Sequence, residues 1–326
     1  MSYLTVVIPT RNRSALLERA LASLVCQTLP QDCFEVIVVD NGSSDSTRAV
    51  CDAVAPRFTS FRYLYDARPG LHIGRNQGLK HAHGDILVYG DDDIAAFPSW
   101  LEGVYEAFQD EDVALVGGKI EPEYESPPPE WVDRLWVQTP WGKALGQYSV
   151  LDFGDTALTI SPRYVWGCNF SIRREILLAC GGFPPDCMPQ HLIRFQGYGE
   201  TAVSDAIAAL GKKTLYHPKA SVKHWVSSDR MTTAYLYKRS YYQGICDSFA
   251  KIRAAGGRTP KGEIGLWLVR LKAAVKFRLR QVIDKPESIR QVMRKGHMDG
   301  YLFHQSEAAR DPGLVEWIVR KDYLED

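Results

Sequence analysis

The chain has 326 residues, 45% of them hydrophobic and 24% charged, with a formal net charge of zero. That is the profile of a globular protein long enough for one large domain plus appendages, and the balanced charge gives no reason to expect nucleic acid as a partner. No apolar run approaches the length of a bilayer span, and the seven cysteines, odd in number and without a CxxC pair, argue against a disulfide framework or a zinc knuckle.

The charge is unevenly placed. The chain is acidic up to Tyr237, basic from Lys238 to Lys295 and acidic again beyond. The N-terminus, Met1-Ser-Tyr-Leu-Thr-Val-Val-Ile-Pro9, has neither the basic start nor the long apolar centre of a signal peptide. A cytoplasmic location is therefore expected, with the basic block able to bring the protein to the inner face of the plasma membrane.

In chain order, Leu4–Ile8 reads as a short buried strand closed by Pro9. Leu16, Leu17, Ala20, Leu21 and Leu24 then recur at helical spacing, with Ser14 as the expected N-cap. Phe34–Val39 is a second strand, ended by the turn cluster Asp40-Asn-Gly-Ser-Ser-Asp45, where Ser44 or Asp45 caps the next helix. Phe61–Tyr65, Asp85–Tyr89 and Ala114–Gly117 read as strands, and Arg75–His81 and Ser99–Phe108 as helices. Continuous apolar strands alternating with helices predict an open, mostly parallel α/β sheet over residues 1–120, in which ligands bind beyond the carboxyl ends of the strands. From Glu121 an aromatic, proline-containing insertion follows, then a loop Gly167–Ser171, a helix Arg173–Ala179, a helix Thr201–Leu210 and a strand Lys213–Tyr216. Beyond Thr232 the pattern is helical.

Polar clusters fall at the expected strand ends: Pro9-Thr-Arg-Asn-Arg13, Asp40–Ser44 and Gly90-Asp-Asp-Asp93. Three adjacent carboxylates after a buried strand repel one another, and a divalent cation bridging carboxylate and phosphate oxygens accounts for them.

With these stretches the sequence resembles the family 2 glycosyltransferases, inverting nucleotide-sugar enzymes of the GT-A fold. The resemblance rests on Val6–Asn12, Val36–Asp45, Pro69–Gly78, Gly84–Asp93, Pro98–Leu101, Gly167–Arg174 and Gly181–Phe183, and covers residues 1–230. It implies a catalytic domain over 1–230, with 1–120 for the nucleotide and 121–230 for acceptor and catalysis, and a helical extension over 231–326. By resemblance, Pro9, Thr10, Arg11, Asp40, Arg75 and Asn76 contact the donor nucleotide and its phosphates, with UDP as the expected nucleotide. Asp91 and Asp92 join them, Asp93 with Asp91 holds Mn2+ or Mg2+, and His224 completes that site or is structural. Asn169 and Trp166 face the sugar or acceptor, with Trp131, Trp136 and Trp141 as a stacking wall or as core. Relatives carry a Glu-Asp pair before a helix, but here Thr201 stands where the Asp is expected. The base role falls to Glu200, with Asp205 as runner-up. A non-catalytic nucleotide-sugar-binding relative and a nucleotidyl transferase on the same fold are the alternatives.

The segment Glu263–Val282 is an amphipathic basic helix, with Ile264, Trp267, Leu268, Leu271, Val275, Leu279 and Val282 on one face and Lys272, Lys276 and Arg280 on the other. It either packs on the catalytic domain or lies in an anionic membrane surface near a lipid-linked acceptor. Tyr235–Gly244 is expected to be a helix closing over the donor.

Overall fold

A computed structural model describes residues 3–260, 262–281 and 289–324. The first half runs β1 (Leu4–Thr10), α1 (Ser14–Val25), β2 (Phe34–Asp40), α2 (Thr47–Val54), β3 (Phe61–Tyr65), α3 (Leu71–His81), β4 (Ile86–Gly90), β5 (Ile94–Ala96), α4 (Trp100–Ala107), β6 (Val113–Gly117) and β7 (Ile120–Tyr124). Short strands β8 (Val137–Gln138), β9 (Lys143–Leu145), β10 (Val150–Asp152) and β11 (Leu158–Thr159) follow. Then come β12 (Asn169–Arg173), α5 (Arg174–Ala179), α6 (Gly199–Ala209), β13 (Lys213–Tyr216) and β14 (Val222–Val226). Four helices complete the order: α7 (Thr233–Ala254), α8 (Gly262–Gln281), α9 (Ile289–Arg310) and α10 (Pro312–Val319).

An eight-stranded sheet has the order β11-β13-β6-β12-β4-β1-β2-β3. Every residue of β1 and β2 is buried, as their unbroken β-branched and aliphatic runs require for a sheet covered on both faces. β1 is parallel to both β2 and β4. The strand expected at Ala114–Gly117 forms as β6, separated from β4 by one strand. The segment read as a loop at Gly167–Ser171 becomes β12, antiparallel between β4 and β6. That reversal has a functional consequence: Asn169 pairs with Gly90, so the start of β12 lies at the edge where β4 ends.

A second sheet, β5-β14-β7-β10-β9-β8, stands beside this edge. Its strands are two to five residues long and carry little periodicity, and only long-range pairing makes them strands. β14 pairs antiparallel with β5, bringing His224 opposite Ile94, just past the aspartates.

Capping differs from expectation at α1. Arg13, not Ser14, occupies the N-cap position and makes no side-chain cap. Asp45 serves both helices: one carboxylate oxygen accepts from the Ser14 N–H at 2.9 Å and the other from the Thr47 N–H at 3.1 Å. The Thr47 hydroxyl, donating at 2.6 Å, and then these backbone bonds hold its pKa down at about 2.

The C-terminal helices build a smaller core of Phe249, Ile252, Ala308, Leu314 and Ile318. They are tied back to the segment between α5 and α6: Trp317 Nε1 donates to the Phe195 carbonyl, and the Tyr323 N–H to that of Gly181. All seven cysteines are free, and among the described residues no helix is long and apolar enough to cross a membrane.

Candidate active site

The triplet Asp91–Asp93 leaves β4 at its carboxyl end, between β1 and β12. Asp92 is buried and accepts from Thr10 Oγ1 at 2.8 Å and from Arg13 at 2.6 Å. Burial outweighs these partners and raises its carboxyl to about 6. Asp93 is equally buried, but three cationic or potentially cationic side chains surround it. Arg13 lies at 3.1 Å, Arg230 at 2.9 Å and His224 Nε2 at 3.3 Å. Desolvation pushes the Asp93 carboxyl up, and the close approach of His224, with the charges of Arg13 and Arg230, overturns it, leaving the group well below the ordinary range.

The residues present fit a divalent cation. Asp93 Oδ1 is buried without a hydrogen-bond partner, because the approach to His224 misses hydrogen-bond geometry. His224 Nδ1 lies 2.7 Å from the Tyr148 carbonyl, which can only accept, so Nδ1 carries a proton and the ring is oriented with Nε2 toward Asp93. Among the described residues no three His, Cys, Asp or Glu side chains form a ready cage. That suits a hard cation held by one or two carboxylates and completed by substrate phosphates.

A second group lies on the other side of Asp91. Arg75, on α3, has 3% of its side chain exposed and is enclosed by Glu200 at 3.2 Å, Asp91 at 3.4 Å and Asp186 at 3.8 Å. Glu200, at the start of α6, also approaches the Gly167 N–H at 3.4 Å. Burial raises Glu200's carboxyl, but Arg75 outweighs it and the net shift is downward. Asp186 shifts the other way, raised by burial and by the neighbouring Glu200 charge.

Glu200, Thr201 and Trp166 line one end of a cleft of about 1060 Å³ that runs on between α7, α8 and α9. Arg239, Ser240 and Gln243, from the segment expected to close over the donor, form part of its wall.

The model of the glycosyl transferase family 2 matches residues 5–180. The chain belongs to that family. Glycosyltransferase AglE of Haloferax volcanii is 31% identical over 186 residues, covering 56% of this chain and 57% of that protein. Validoxylamine A glucosyltransferase of Streptomyces hygroscopicus subsp. jinggangensis is 31% identical over 200 residues, covering 56% and 47%. The chain thus spans about half the length of these curated relatives. Among solved structures, a mannosyltransferase from Pyrobaculum calidifontis in complex with GDP-Man and Mn2+ superposes with a TM-score of 0.59 at 19% identity. That match covers 93% of this chain and 87% of the other, and it establishes the GT-A fold.

Several positions assigned by family resemblance fall elsewhere in this family 2 chain. Asn76 is buried away from the strand ends and tethers the C-terminus: its Nδ2 donates to the Phe183 and Tyr323 carbonyls, and its Oδ1 accepts from the Phe183 N–H. Asn169 is 1% exposed and spends both ends of its amide on Trp100 Nε1 and the Ala220 carbonyl, so it faces neither sugar nor acceptor. Arg75 is committed to carboxylates rather than to open phosphate-binding space. Asp205 pairs with Arg163 at 2.7 Å, outside the group around Arg75. Of the four tryptophans, Trp166 lines the cleft, while Trp141 packs against Phe153 and Tyr164 and Trp136 stacks under Lys143.

Pro9, Thr10 and Asp40 do reach the expected edge. Asp40 is buried and accepts from Tyr63 Oη and the Ser43 N–H, both at 2.7 Å. Arg11 is exposed, and the arginine that meets the aspartates is Arg13. Arg13, Arg230 and Asp186 were not singled out from sequence. Arg13 had a signal, its place in the polar run after β1, but nothing local distinguishes Arg230 or Asp186.

Proposed function

We propose that this chain transfers a glycosyl group from a nucleoside-diphosphate sugar to an acceptor hydroxyl in one inverting displacement, with Glu200 as base. The observation that carries this reading is Glu200 itself. Arg75 pins it beside Asp91, yet 24% of its side chain remains exposed, at the cleft end. Its depressed pKa keeps it ionised at neutral pH, in the form that accepts a proton. In the reaction the acceptor hydroxyl gives its proton to a Glu200 oxygen as its own oxygen bonds to the anomeric carbon. The bond from that carbon to the diphosphate breaks on the opposite face, and the nucleoside diphosphate leaves with the electron pair.

Pro9, Thr10, Arg11 and Asp40 frame the nucleotide, for which UDP is the proposed identity. Asp93, Asp91 and His224 would hold Mn2+ or Mg2+, which when bound supplies Lewis-acid stabilisation of the leaving diphosphate. Arg13 and Arg230 stand beside the same carboxylates, where preorganised cations favour a departing anion. The acceptor belongs to polysaccharide, glycolipid or glycosylated-metabolite synthesis.

Glu200→Gln tests the base. Nucleoside diphosphate affinity should stay near that of the unaltered chain while kcat falls by about 10³-fold. Near-normal turnover removes Glu200 from the role. Calorimetric titration with UDP, GDP and dTDP, with and without Mn2+, tests nucleotide and metal together; UDP should bind tightest and need the ion.

The exposed apolar stripe of α8 supports a peripheral position on an anionic membrane. Ile264, Trp267, Leu268, Leu271 and Val275 are all solvent-exposed, which favours the membrane alternative over packing on the catalytic domain. The side chains of Glu263, Lys276, Leu279 and Arg280, and all of Val282, lie outside the described residues.

A further inference from the structure

The cleft beyond Glu200 is chemically two-sided. Arg163, Arg239, Lys251, Lys272, Arg290 and Arg294 line it, against the carboxylates of Glu200 and Asp247. Both carboxylates already have a side-chain partner, Glu200 in Arg75 at 3.2 Å and Asp247 in His297 at 2.7 Å. Arg239, Lys272 and Arg290 enter no carboxylate ion pair among the described residues. Arg239 is close enough for its charge to help depress Glu200. The remaining lining is apolar, with Val269, Ala273 and Phe277 from α8 and Met293 and Met298 from α9.

We infer that this cleft is the acceptor site and that it takes a phosphate-bearing amphiphile. The phosphate lies among the cations of α7, α8 and α9, the apolar chain lies along the α8–α9 wall, and the reacting hydroxyl reaches Glu200. Three considerations favour this occupant. Surplus guanidinium and ammonium groups in a cleft match a multiply charged oxyanion, and the planar fork of arginine suits phosphate. A purely hydrophilic acceptor leaves the α8–α9 wall uncovered. The volume, about 1060 Å³, exceeds what one sugar ring fills and is at the upper end of small-molecule sites. The role of Glu200 here rests on the transfer reading above, whereas the cleft's preference for a ligand does not.

The test is calorimetric titration of the full chain with decyl phosphate, decyl β-glucoside and inorganic phosphate. Decyl phosphate should bind at least about tenfold tighter than either of the others. The Lys272→Ala/Arg290→Ala pair should weaken decyl phosphate by about tenfold, and Lys272→Arg should retain it. Equal binding of decyl phosphate and decyl β-glucoside, or indifference to the paired substitution, overturns the phosphate assignment. Inorganic phosphate binding as tightly as decyl phosphate overturns the amphiphile. The Glu200→Gln turnover test above reads the transfer chemistry separately. Near-normal turnover there, beside selective decyl phosphate binding, would fell the reading of Glu200 as base and leave the cleft assignment standing.

Discussion

Arg75 is a buried cation whose three carboxylate neighbours come from three separate stretches of chain, at positions 91, 186 and 200. It can occupy that centre because residue 167 has no side chain: a Cβ on Gly167 would sit 2.1 Å from Arg75 Nη2. Gly167→Ala must therefore displace the guanidinium from Glu200 and from Asp91, while Asp92 and Asp93 keep their own partners in Arg13 and Arg230. A shift of about 1 Å at a catalytic group can cost about a hundredfold in rate. We expect kcat to fall by about that factor while nucleoside diphosphate affinity, measured by calorimetry, changes little. Turnover close to that of the unaltered chain would show that Arg75 does not position the base. The same residues mark what sequence could and could not reveal. The aspartate triplet stands out because charge follows an apolar run, and Glu200 through the resemblance to the family's acidic pair before a helix. Asp186 and Arg230 sit in segments without periodicity, and folding alone brings them to the site.

At the scale of elements, the parallel core is fastened by one buried acid. Glu35 on β2 has 1% of its side chain exposed and accepts from Thr5 Oγ1 on β1 at 2.7 Å, from Arg62 on β3 at 2.6 Å and from the His83 N–H at 2.7 Å. Burial raises its pKa, but these bonds more than offset it and the net shift is downward. A carboxyl depressed in the folded state contributes stability above its unfolded pKa of about 4.3, and that contribution is lost as pH falls through the folded value. Glu35→Gln removes the charge and leaves Arg62 half-satisfied, so it should cost about 2 kcal/mol near neutral pH. The gap between the two proteins in urea denaturation should narrow as the pH is taken below about 4. A constant gap would mean the loss is one of packing alone. β1, β2 and β4 were legible because strands buried on both faces are written as unbroken aliphatic runs. The second sheet was not: its strands are too short to show a period, and partners distant in sequence define them. Asp45 was legible as turn chemistry before α2, but Ser46 holds the N-cap position there without a side-chain cap, and the bonds of Asp45 to Thr47 and to α1 required the loops to meet.

At the scale of the molecule, α8 presents two different faces, one to the cleft and one to solvent. The face of α8 bearing Val269, Ala273 and Phe277 lines the cleft, while the stripe at Ile264, Trp267, Leu268, Leu271 and Val275 is between 44% and 78% exposed. Exposed large apolar side chains grouped on one helix signal an interaction surface rather than chance. Arg270 and Arg278 are exposed on the same helix, which gives the stripe a cationic border. An apolar face with cations beside it is what an anionic lipid surface attracts, and Trp suits the interfacial depth. The full chain should sediment with vesicles containing about a third anionic lipid, and much less with neutral vesicles. Raising the salt should weaken this association by shortening the reach of the charges, but not abolish it while the apolar face stays buried. Trp267→Ala/Leu271→Ala should reduce vesicle binding by at least about tenfold, since each buried CH2 contributes about 0.8 kcal/mol. Because both side chains point away from the cleft, decyl phosphate binding should survive that substitution. Loss of both together would mean that α8 is held in place by its own apolar face, and that membrane and cleft are a single structural unit.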